Sequence, residues 1–439
     1  MSEYAITDVH AREVLDSRGS PTIEVEIAVE DCAVGRAMVP SGASTGSYEA
    51  HELRDGDKKR FGGKGVLGAV TNVEDTIRPE ILGMNATDQE ALDRFLIQLD
   101  GTPTKERLGA NAILGVSMAT CRAAAASLGL PLYRYIGGIY ASLLPVPLMN
   151  ILNGGKHAAN NIMLQEFMVL PVGATDWPEA MRWCSEIYQS LRAILSRDHL
   201  LGGVGDEGGF APDLENNEAA FQLIERAIHN AGLVAGDDVF LAIDSAASEF
   251  YDDEIGRYRI EPNEDPMTAQ EVVDRYARWV AKYPIICIED GLAEDDWEGW
   301  SHMTRVLGDK IQIIGDDIFV TNIERLRKGI EKKAANAILI KLNQIGTVTE
   351  TLDTMRLASF NNMNCIISHR SGETEDSFIS DFTVATGAGQ LKSGAPARTD
   401  RVAKYNQLMR IFDDLSNPRY AGKTMFQRWP SPIKALRRI

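Results

Sequence analysis

Five short apolar runs follow one another between residues 285 and 394, and each run ends on polar or charged residues. They read IICIED, IQIIGDD, AILIKLN, NCIISHRS and GQLKSG, and the polar ends recur every 23 to 28 positions. This spacing accommodates one strand and one crossover helix per step. Uninterrupted Ile, Val and Leu runs are typical of parallel strands buried on both faces. The pattern predicts a β/α barrel, in which the carboxyl ends of the strands meet at one mouth.

Two further apolar runs, PVPLMNIL and MLQEFMVLP, precede this regular repeat. The segment between them is too short for a helical crossover, so we expect a hairpin that opens the barrel. A long helical pattern then reaches residue 199, and LIERAIHNAG indicates a second helix. VFLAIDSA predicts another strand that ends in an acid.

The first 140 residues follow a different pattern. Residues 3–40 contain alternating runs such as TIEVEIAVE, which predict an antiparallel meander, and the Gly- and Ser-rich residues 41–57 predict a long binding loop. Apolar residues at three- and four-residue spacing between 65 and 130 predict helices. The predicted fold class is therefore α/β, with an α+β capping domain at residues 1–140 and a β/α barrel at residues 141–439.

The composition is that of a globular protein with an acidic balance. Of 439 residues, 44% are hydrophobic and 25% are charged, and the net charge is −18. This balance argues against nucleic-acid binding, but lysines and a metal ion in one cleft can still attract a small anion. After Asp414 the chain has no acid and looks like a basic tail. Its basic residues are Arg419, Lys423, Arg428, Lys434, Arg437 and Arg438.

The five cysteines show no C-x-x-C motif and no regular spacing, which predicts free thiols in a reducing compartment. The first residues, MSEYAITDVHARE, carry charges and lack the apolar core of a signal peptide. No stretch of about 18 uncharged apolar residues is present, so we expect no membrane span. These features together predict a cytoplasmic protein.

Three acids, Asp244, Glu289 and Asp316, each end an apolar strand run. Carboxylates from neighbouring strands suit Mg²⁺, which is held by a few protein oxygens and keeps positions for water or substrate. The simpler interpretation is that these acids pair with lysines. Asp290 and Asp317 stand next to two of them, so spacing alone leaves the choice of metal ligands open.

Two lysines end strand runs in the same way. Lys341 lies within the apolar ILIKLNQ, and Lys392 lies in GQLKSG. A lysine that is desolvated in a barrel mouth and lies near a metal ion should have a lowered pKa and act as a base. The alternative is an amine that only reaches solvent.

Further candidates lie in glycine-rich or strand-end segments. Glu207, within GVGDEGGFAP, can act as a general acid if burial raises its pKa, or it is a solvated acid in a turn. Glu166 stands in an apolar strand and requires a partner. His157 and His369 lie in or beside strand-end loops, and Arg370 suits bidentate capture of phosphate or carboxylate.

Several longer motifs resemble those of the enolase family over nearly the whole chain. They are VPSGASTG, GDEGGFAP, AIDSAASEFY, IEDGLAEDDWEGW, GDDIFVTN, IKLNQIGT, SHRSGETED and GQLKSGAPARTDRVAKYNQL. The resemblance implies phosphopyruvate hydratase activity, the Mg²⁺-dependent dehydration of 2-phosphoglycerate to phosphoenolpyruvate in glycolysis and gluconeogenesis. It also implies two Mg²⁺ ions per active site, a phosphorylated acid as substrate, and a homodimer or octamer.

The same resemblance implies roles for single residues. Lys341 would remove the C2 proton, and Glu207 would help the C3 hydroxyl leave as water, supported by Glu166. The first Mg²⁺ would be held by Asp244, Glu289 and Asp316, and the second by Ser44 together with the phosphate. The residues implied to bind or line the substrate are His157, Gln165, His369, Arg370, Ser371 and Lys392.

The segment NGGKHAANNIMLQEF departs from the family pattern. Enolases usually carry a small residue at the position of Lys156 and often an acid at that of Ala159. An added cation near a phosphate site could change the substrate, so an enolase paralogue acting on a related phospho- or phosphono-acid in phosphonate biosynthesis is a second hypothesis. A third is a binding protein on an enolase scaffold, which the intact acid, base and metal positions disfavour.

Overall fold

The structure is a computed structural model that describes residues 3–30, 32–43 and 46–429. Its amino-terminal part begins with a three-stranded antiparallel sheet of β1 (Ile6–Leu15), β2 (Pro21–Val29) and β3 (Val34–Met38), paired in that order. The predicted meander is confirmed. The described part of the predicted loop, residues 46–57, contains no helix or strand.

Helices follow the sheet between residues 67 and 137, as predicted. They are α1 (Leu67–Thr71), a π-helical turn (Asn72–Ile77), α2 (Arg78–Ile81), α3 (Gln89–Asp100), α4 (Ala110–Ser127) and α5 (Leu132–Gly137). The small residues of α4 allow it to lie close to the sheet. A Cβ at Gly35 of β3 would stand 2.0 Å from the carbonyl oxygen of Ala119. Among the described residues no single helix is long and apolar enough to cross a membrane. The helical segments Ala110–Ser127 and Leu132–Tyr140, which are bent by 93° relative to each other, together reach the length and apolar composition of a membrane span, by those two criteria only.

The second part of the chain contains a closed eight-stranded barrel. Its strands are β5 (Val146–Asn153), β6 (Glu166–Leu170), β7 (Phe240–Asp244), β10 (Ile285–Glu289), β11 (Gln312–Gly315), β12 (Ala337–Ile340), β13 (Asn364–Ser368) and β14 (Gln390–Lys392). Two short two-stranded sheets lie outside the barrel: β4 (Leu143–Leu144) pairs with β15 (Arg419–Tyr420), and β8 (Tyr251–Asp252) pairs with β9 (Arg257–Tyr258). Only β6 runs antiparallel to its barrel neighbours, so the predicted opening hairpin and the parallel strands after it are confirmed.

Helices connect the barrel strands and continue beyond the last one. They are α6 (Trp177–Arg197), α7 (Asn217–Asn230), α8 (Ala269–Lys282), α9 (Trp297–Leu307), α10 (Ile323–Lys332), α11 (Leu342–Ile345), α12 (Val348–Phe360), α13 (Phe378–Thr386), α14 (Thr399–Asp414) and α15 (Gly422–Met425). The residues next to each amino terminus determine where these helices begin. Thr268 and Glu271 form a capping box at the start of α8, which satisfies backbone N–H groups that would otherwise lack partners.

The amino-terminal part lies against the loops at the carboxyl ends of the barrel strands. Ser41 and Gly372 exchange two backbone hydrogen bonds of 2.8 Å, and the Met38 N–H donates to Asp376 over 3.0 Å. These contacts place the described residues of the predicted loop, 41–43 and 46–57, beside the barrel mouth. We retain the division near residue 140 as a proposal, supported by the separate strand pairing of the sheet and the barrel.

The basic tail stays a prediction, and its described part, up to residue 429, packs against the barrel. Phe426 and Trp429 are buried at the amino-terminal end of the barrel, and the Trp429 indole donates to the Gly308 carbonyl over 2.9 Å. The charge count did not consider these aromatic residues, while the basic residues Arg419, Lys423 and Arg428 are exposed. Lys434, Arg437 and Arg438 lie outside the described residues.

Candidate active site

Strand register brings acids from three neighbouring strands to one level of the barrel. Glu166 of β6 pairs with Asp244 of β7, which pairs with Glu289 of β10. Lys392, the last residue of β14, extends its amine among them, at 3.1 Å from Glu166 Oε1, 3.0 Å from Asp244 Oδ2 and 2.8 Å from Glu289 Oε1. The partner that Glu166 requires is therefore Lys392, and burial of the ammonium is offset by three carboxylates.

All the residues predicted to act in catalysis or substrate binding line one cavity at the barrel mouth. The lining residues are His157, Gln165, Glu166, Glu207, Asp244, Lys341, Ser368, His369, Arg370, Ser371 and Lys392. Seven segments of the chain supply them, so their convergence follows from barrel closure rather than from proximity in sequence. Whether each residue has its predicted role stays a prediction.

Lys341 follows β12, and its amine forms an ion pair with Asp316, which follows β11. Burial by itself would lower the pKa of Lys341, but the carboxylates around it, Asp316 first, act in the opposite direction and this pKa is raised. The predicted lowering assumed a metal ion beside the lysine and stays a prediction. The carboxylate expected to hold that cation is the lysine's ion-pair partner here.

Glu207 lies in a loop whose glycines allow close packing against β5. A Cβ at Gly209 would stand 2.3 Å from Asn153 Oδ1. The Asn150 amide donates to Glu207 Oε2 over 3.0 Å, and His369 Nε2 lies 3.4 Å from the same oxygen. The loop glycines thus let a carboxylate approach the barrel axis among buried polar groups.

The two buried glutamates differ in the direction of their pKa shifts. Burial and the neighbouring Glu207 carboxylate raise the pKa of Glu166 well above its usual value. Burial also acts to raise the pKa of Glu207, but the facing groups, His369 first, outweigh it and hold this pKa well below its usual value. The raised pKa that a general acid needs is therefore found at Glu166 and not at Glu207.

Both histidines are buried and neutral. Burial lowers the pKa of His157, whose Nδ1 lies 3.7 Å from both Glu166 and Glu207. Burial lowers the pKa of His369 to about 3. The Arg401 guanidinium contacts His369 Nδ1, so this nitrogen accepts a hydrogen bond and the proton resides on Nε2, which faces Glu207.

Several residues that hold the site were not singled out from the sequence. Glu49 binds Arg370, Gln344 binds Asp316 over 2.9 Å, and Arg401 of α14 is fully buried against the backbone of residues 370 and 371. Glu49 and Arg401 lie in segments that read as a polar loop and a charged helix. Gln344 and Arg401 stand within motifs quoted above, which was the available signal for them, whereas Glu49 lies outside those motifs and composition gives no signal for it.

The carboxylates at the mouth fit a hard divalent cation. Glu289 Oε2 is buried without a hydrogen-bond partner among the described residues, and burial together with Asp244 raises the pKa of Glu289 well above its usual value. Such crowded oxygen ligands suit Mg²⁺. Ser44, predicted to bind a second ion, lies outside the described residues.

The three carboxylates predicted to bind the first metal ion do not all lie together in the structure. Within the described residues, two groups bring three ligand atoms within 4.8 Å of one another, namely His157 with Glu166 and Glu207, and Asp290 with Asp316 and Asp317. The predicted trio is not such a group, since Lys392 lies between Asp244 and Glu289 while Lys341 holds Asp316. Asp290 accepts the backbone N–H groups of residues 316 and 317 over 2.8 and 2.9 Å, which fixes the turn after β11.

Lys156 and Ala159 lie at the rim of the site. The Lys156 amine is 2.6 Å from Glu249 Oε1, and its side chain is 53% exposed. Ala159 is exposed. The added cation therefore has its own counter-ion, Glu249, and Lys156 is not among the residues that line the cavity.

A capped β/α barrel with a lysine, a glutamate pair and a carboxylate cluster at its mouth defines a class of barrel enzymes that combine acid–base groups with a divalent metal. Comparison with protein families narrows the class. Residues 6–136 match the family described as "Enolase, N-terminal domain", and residues 141–429 match "Enolase, C-terminal TIM barrel domain". The chain therefore belongs to the enolase family, and this membership supports a Mg²⁺-dependent enolase-type lyase reaction.

Proposed function

We propose that the protein is a phosphopyruvate hydratase that converts 2-phosphoglycerate to phosphoenolpyruvate and water. The observation that carries this proposal is the arrangement of two kinds of proton-transfer group around one cavity. Lys341 stands beside Asp316, Glu166 and Glu207 both lie 3.7 Å from His157 Nδ1, and the Lys392 ammonium contacts Glu166 and Asp244. Loss of a C2 proton and of a C3 hydroxyl needs a base and an acid within one cavity.

The residues have the following proposed roles. Arg370 binds the phosphate, while His157, Gln165, Ser371 and Lys392 hold the substrate, and His369 lines the pocket. Lys341 Nζ accepts the C2 proton as a neutral amine, which requires that Asp316 release it from their ion pair. The C3–O bond then breaks, and a proton from the Glu166–Glu207 pair converts the departing hydroxyl to water.

Asp244, Glu289 and Asp316 are the proposed ligands of a first Mg²⁺, and Ser44 with the phosphate would hold a second. Bound Mg²⁺ supplies positive charge that offsets these carboxylates and stabilises the negative charge that develops on the substrate carboxylate. We further propose a cytoplasmic homodimer or octamer, in keeping with five free cysteines and with the oligomerisation that family membership suggests.

Turnover tests the proposal directly. Purified protein with Mg²⁺ and 2-phosphoglycerate should produce the absorbance of the enolpyruvate product, and EDTA should abolish it until Mg²⁺ is restored. No product from 2-phosphoglycerate, with turnover of a phosphonate analogue, would overturn the proposal in favour of a paralogue. The Lys156–Glu249 pair argues for 2-phosphoglycerate, and Lys156→Ser should change KM by less than about threefold because exposed ion pairs contribute little.

A further inference from the structure

Glu49, in the loop of residues 41–57, forms a buried bidentate ion pair with Arg370. Arg370 Nη1 donates to Glu49 Oε2 over 2.9 Å, and Nη2 donates to Oε1 over 3.1 Å. The two side chains are 2% and 10% exposed. Two parallel charge-assisted hydrogen bonds fix the plane of a guanidinium as well as its position.

A second contact connects Glu49 to the segments that follow β11 and β12. Gln344 Nε2 lies 3.3 Å from Glu49 Oε1 and donates to Asp316 Oδ1 over 2.9 Å. The Thr321 hydroxyl donates to Gln344 Oε1 over 2.8 Å and accepts the backbone N–H of Lys341 over 2.9 Å. One loop carboxylate thus contacts the proposed phosphate-binding arginine and, through one amide, the Asp316–Lys341 pair.

The position of Glu49 is also fixed from the loop side. The Ser47 N–H donates to Glu294 over 3.2 Å, and the Tyr48 hydroxyl donates to Asp295 over 2.8 Å. The Arg325 guanidinium lies 3.7 Å from the centre of the Tyr48 ring. Glu49 therefore approaches Arg370 from an anchored segment, and its carboxylate does not depend on Arg370 alone for its place.

We propose that Glu49 is a positioning residue that orients the Arg370 guanidinium for an anionic group of the substrate. This inference rests on the proposed function only in taking Arg370 as the arginine that binds phosphate. Asn343 Oδ1 accepts from Arg370 Nη1 over 3.0 Å and supports the same orientation from the barrel side. Glu49 contacts Arg370 directly but reaches the Asp316–Lys341 pair only through Gln344, so it should influence binding more than the chemical step.

Glu49→Gln keeps the shape of the side chain and removes its charge. We expect this variant to weaken the binding of inorganic phosphate about tenfold and to raise KM for 2-phosphoglycerate similarly, because one charge-assisted hydrogen bond is lost and another weakened. The kcat should change less than about threefold. Glu52→Gln is the matched control, since Glu52 lies in the same loop and pairs with Arg54 over 2.6 Å instead of with the site.

A double-mutant cycle distinguishes positioning from a general structural role. Phosphate binding is measured by calorimetry for the wild type, Glu49→Gln, Arg370→Met and the double variant, with circular dichroism as a check on folding. In the Arg370→Met background, Glu49→Gln should change phosphate affinity less than about twofold, because the group that it positions is gone. A full tenfold effect there would overturn the inference, as would equal effects of Glu49→Gln and Glu52→Gln.

Each remaining outcome also supports or overturns the inference about Glu49. If Glu49→Gln does not fold, Glu49→Asp is measured in the same way, since it keeps the charge but is too short for the bidentate contact, and an unchanged phosphate affinity would overturn the inference. Lack of phosphate binding by the wild type would overturn it too. Phosphate binding with the expected cycle, but without turnover of 2-phosphoglycerate, would support the role of Glu49 and reject only the proposed reaction.

Discussion

The two ends of the barrel use buried polar side chains in opposite ways. At the amino-terminal end, which we call the floor, Gln312 and Gln390 exchange hydrogen bonds of 2.9 and 3.0 Å, and the Asn364 amide donates to Gln312 over 2.7 Å. These residues are the first of β11, β14 and β13. The groups are neutral amides, and their mutual hydrogen bonds offset the cost of burying them.

At the mouth, the same strands end in charges that the protein does not fully compensate. Lys392, two residues after Gln390, contacts three carboxylates. Glu166 Oε2, Glu289 Oε2 and His157 Nδ1 are buried without a hydrogen-bond partner among the described residues. Unpaired buried polar groups lower stability, so the comparison indicates that the floor stabilises the barrel while the mouth is arranged for ligands.

Lys341→Ala should have the largest effect on activity. Removal of the base should lower kcat for 2-phosphoglycerate roughly a hundred- to ten-thousandfold, the usual range for a general acid or base, while the barrel remains folded. Steady-state kinetics and exchange of the C2 proton with deuterium, followed by NMR, measure the loss. Persistent exchange in the variant would contradict the assignment of Lys341.

Lys392→Met should have the largest effect on stability. It leaves Glu166, Asp244 and Glu289 buried without their shared ammonium, and breaking a buried ion pair from one side costs about 3–5 kcal/mol. The midpoint of urea unfolding measures the change. Added Mg²⁺ should restore more stability to the variant than to the wild type, and an equal response of the two proteins would argue against a cation at these carboxylates.

Gln312→Leu tests the floor. The substitution leaves the Gln390 and Asn364 amides without their acceptor, which should cost about 1–3 kcal/mol of unfolding free energy. Turnover and the Mg²⁺ requirement should stay as in the wild type. A change in kcat larger than that in stability would show that the two ends of the barrel are not independent.

His369 should give the smallest effect, visible as a pH dependence. Burial lowers the pKa of His369 to about 3, so the unfolded chain takes up a proton below about pH 6.5 and the folded protein does not. Stability should therefore fall with decreasing pH, by at most about 1.4 kcal/mol per unit from this group. Urea unfolding between pH 6.5 and 5 should show a shallower slope for His369→Asn, and an unchanged slope would contradict the neutral state of His369. Replacement of the exposed His229 by Asn is the control.

Much of the architecture could be predicted from the order of residues. The barrel strands are continuous apolar runs because both of their faces are buried, and polar residues mark the end at which each strand leaves the core. Closure then brings Lys341, Glu207 and Lys392 to one cavity, as expected. The charge count after Asp414 did not predict that Phe426 and Trp429 pack against the barrel.

The sequence by itself thus determined which side chains reach the mouth, since strand period and strand ends are local properties. Only the tertiary structure decided their charge states, because a pKa depends on partners that are distant in the chain. Asp316 acts to raise the pKa of Lys341, and of the two glutamates Glu166 has a raised pKa while Glu207 has a lowered one. The contact between Glu49 and Arg370, 321 residues apart, has the same origin.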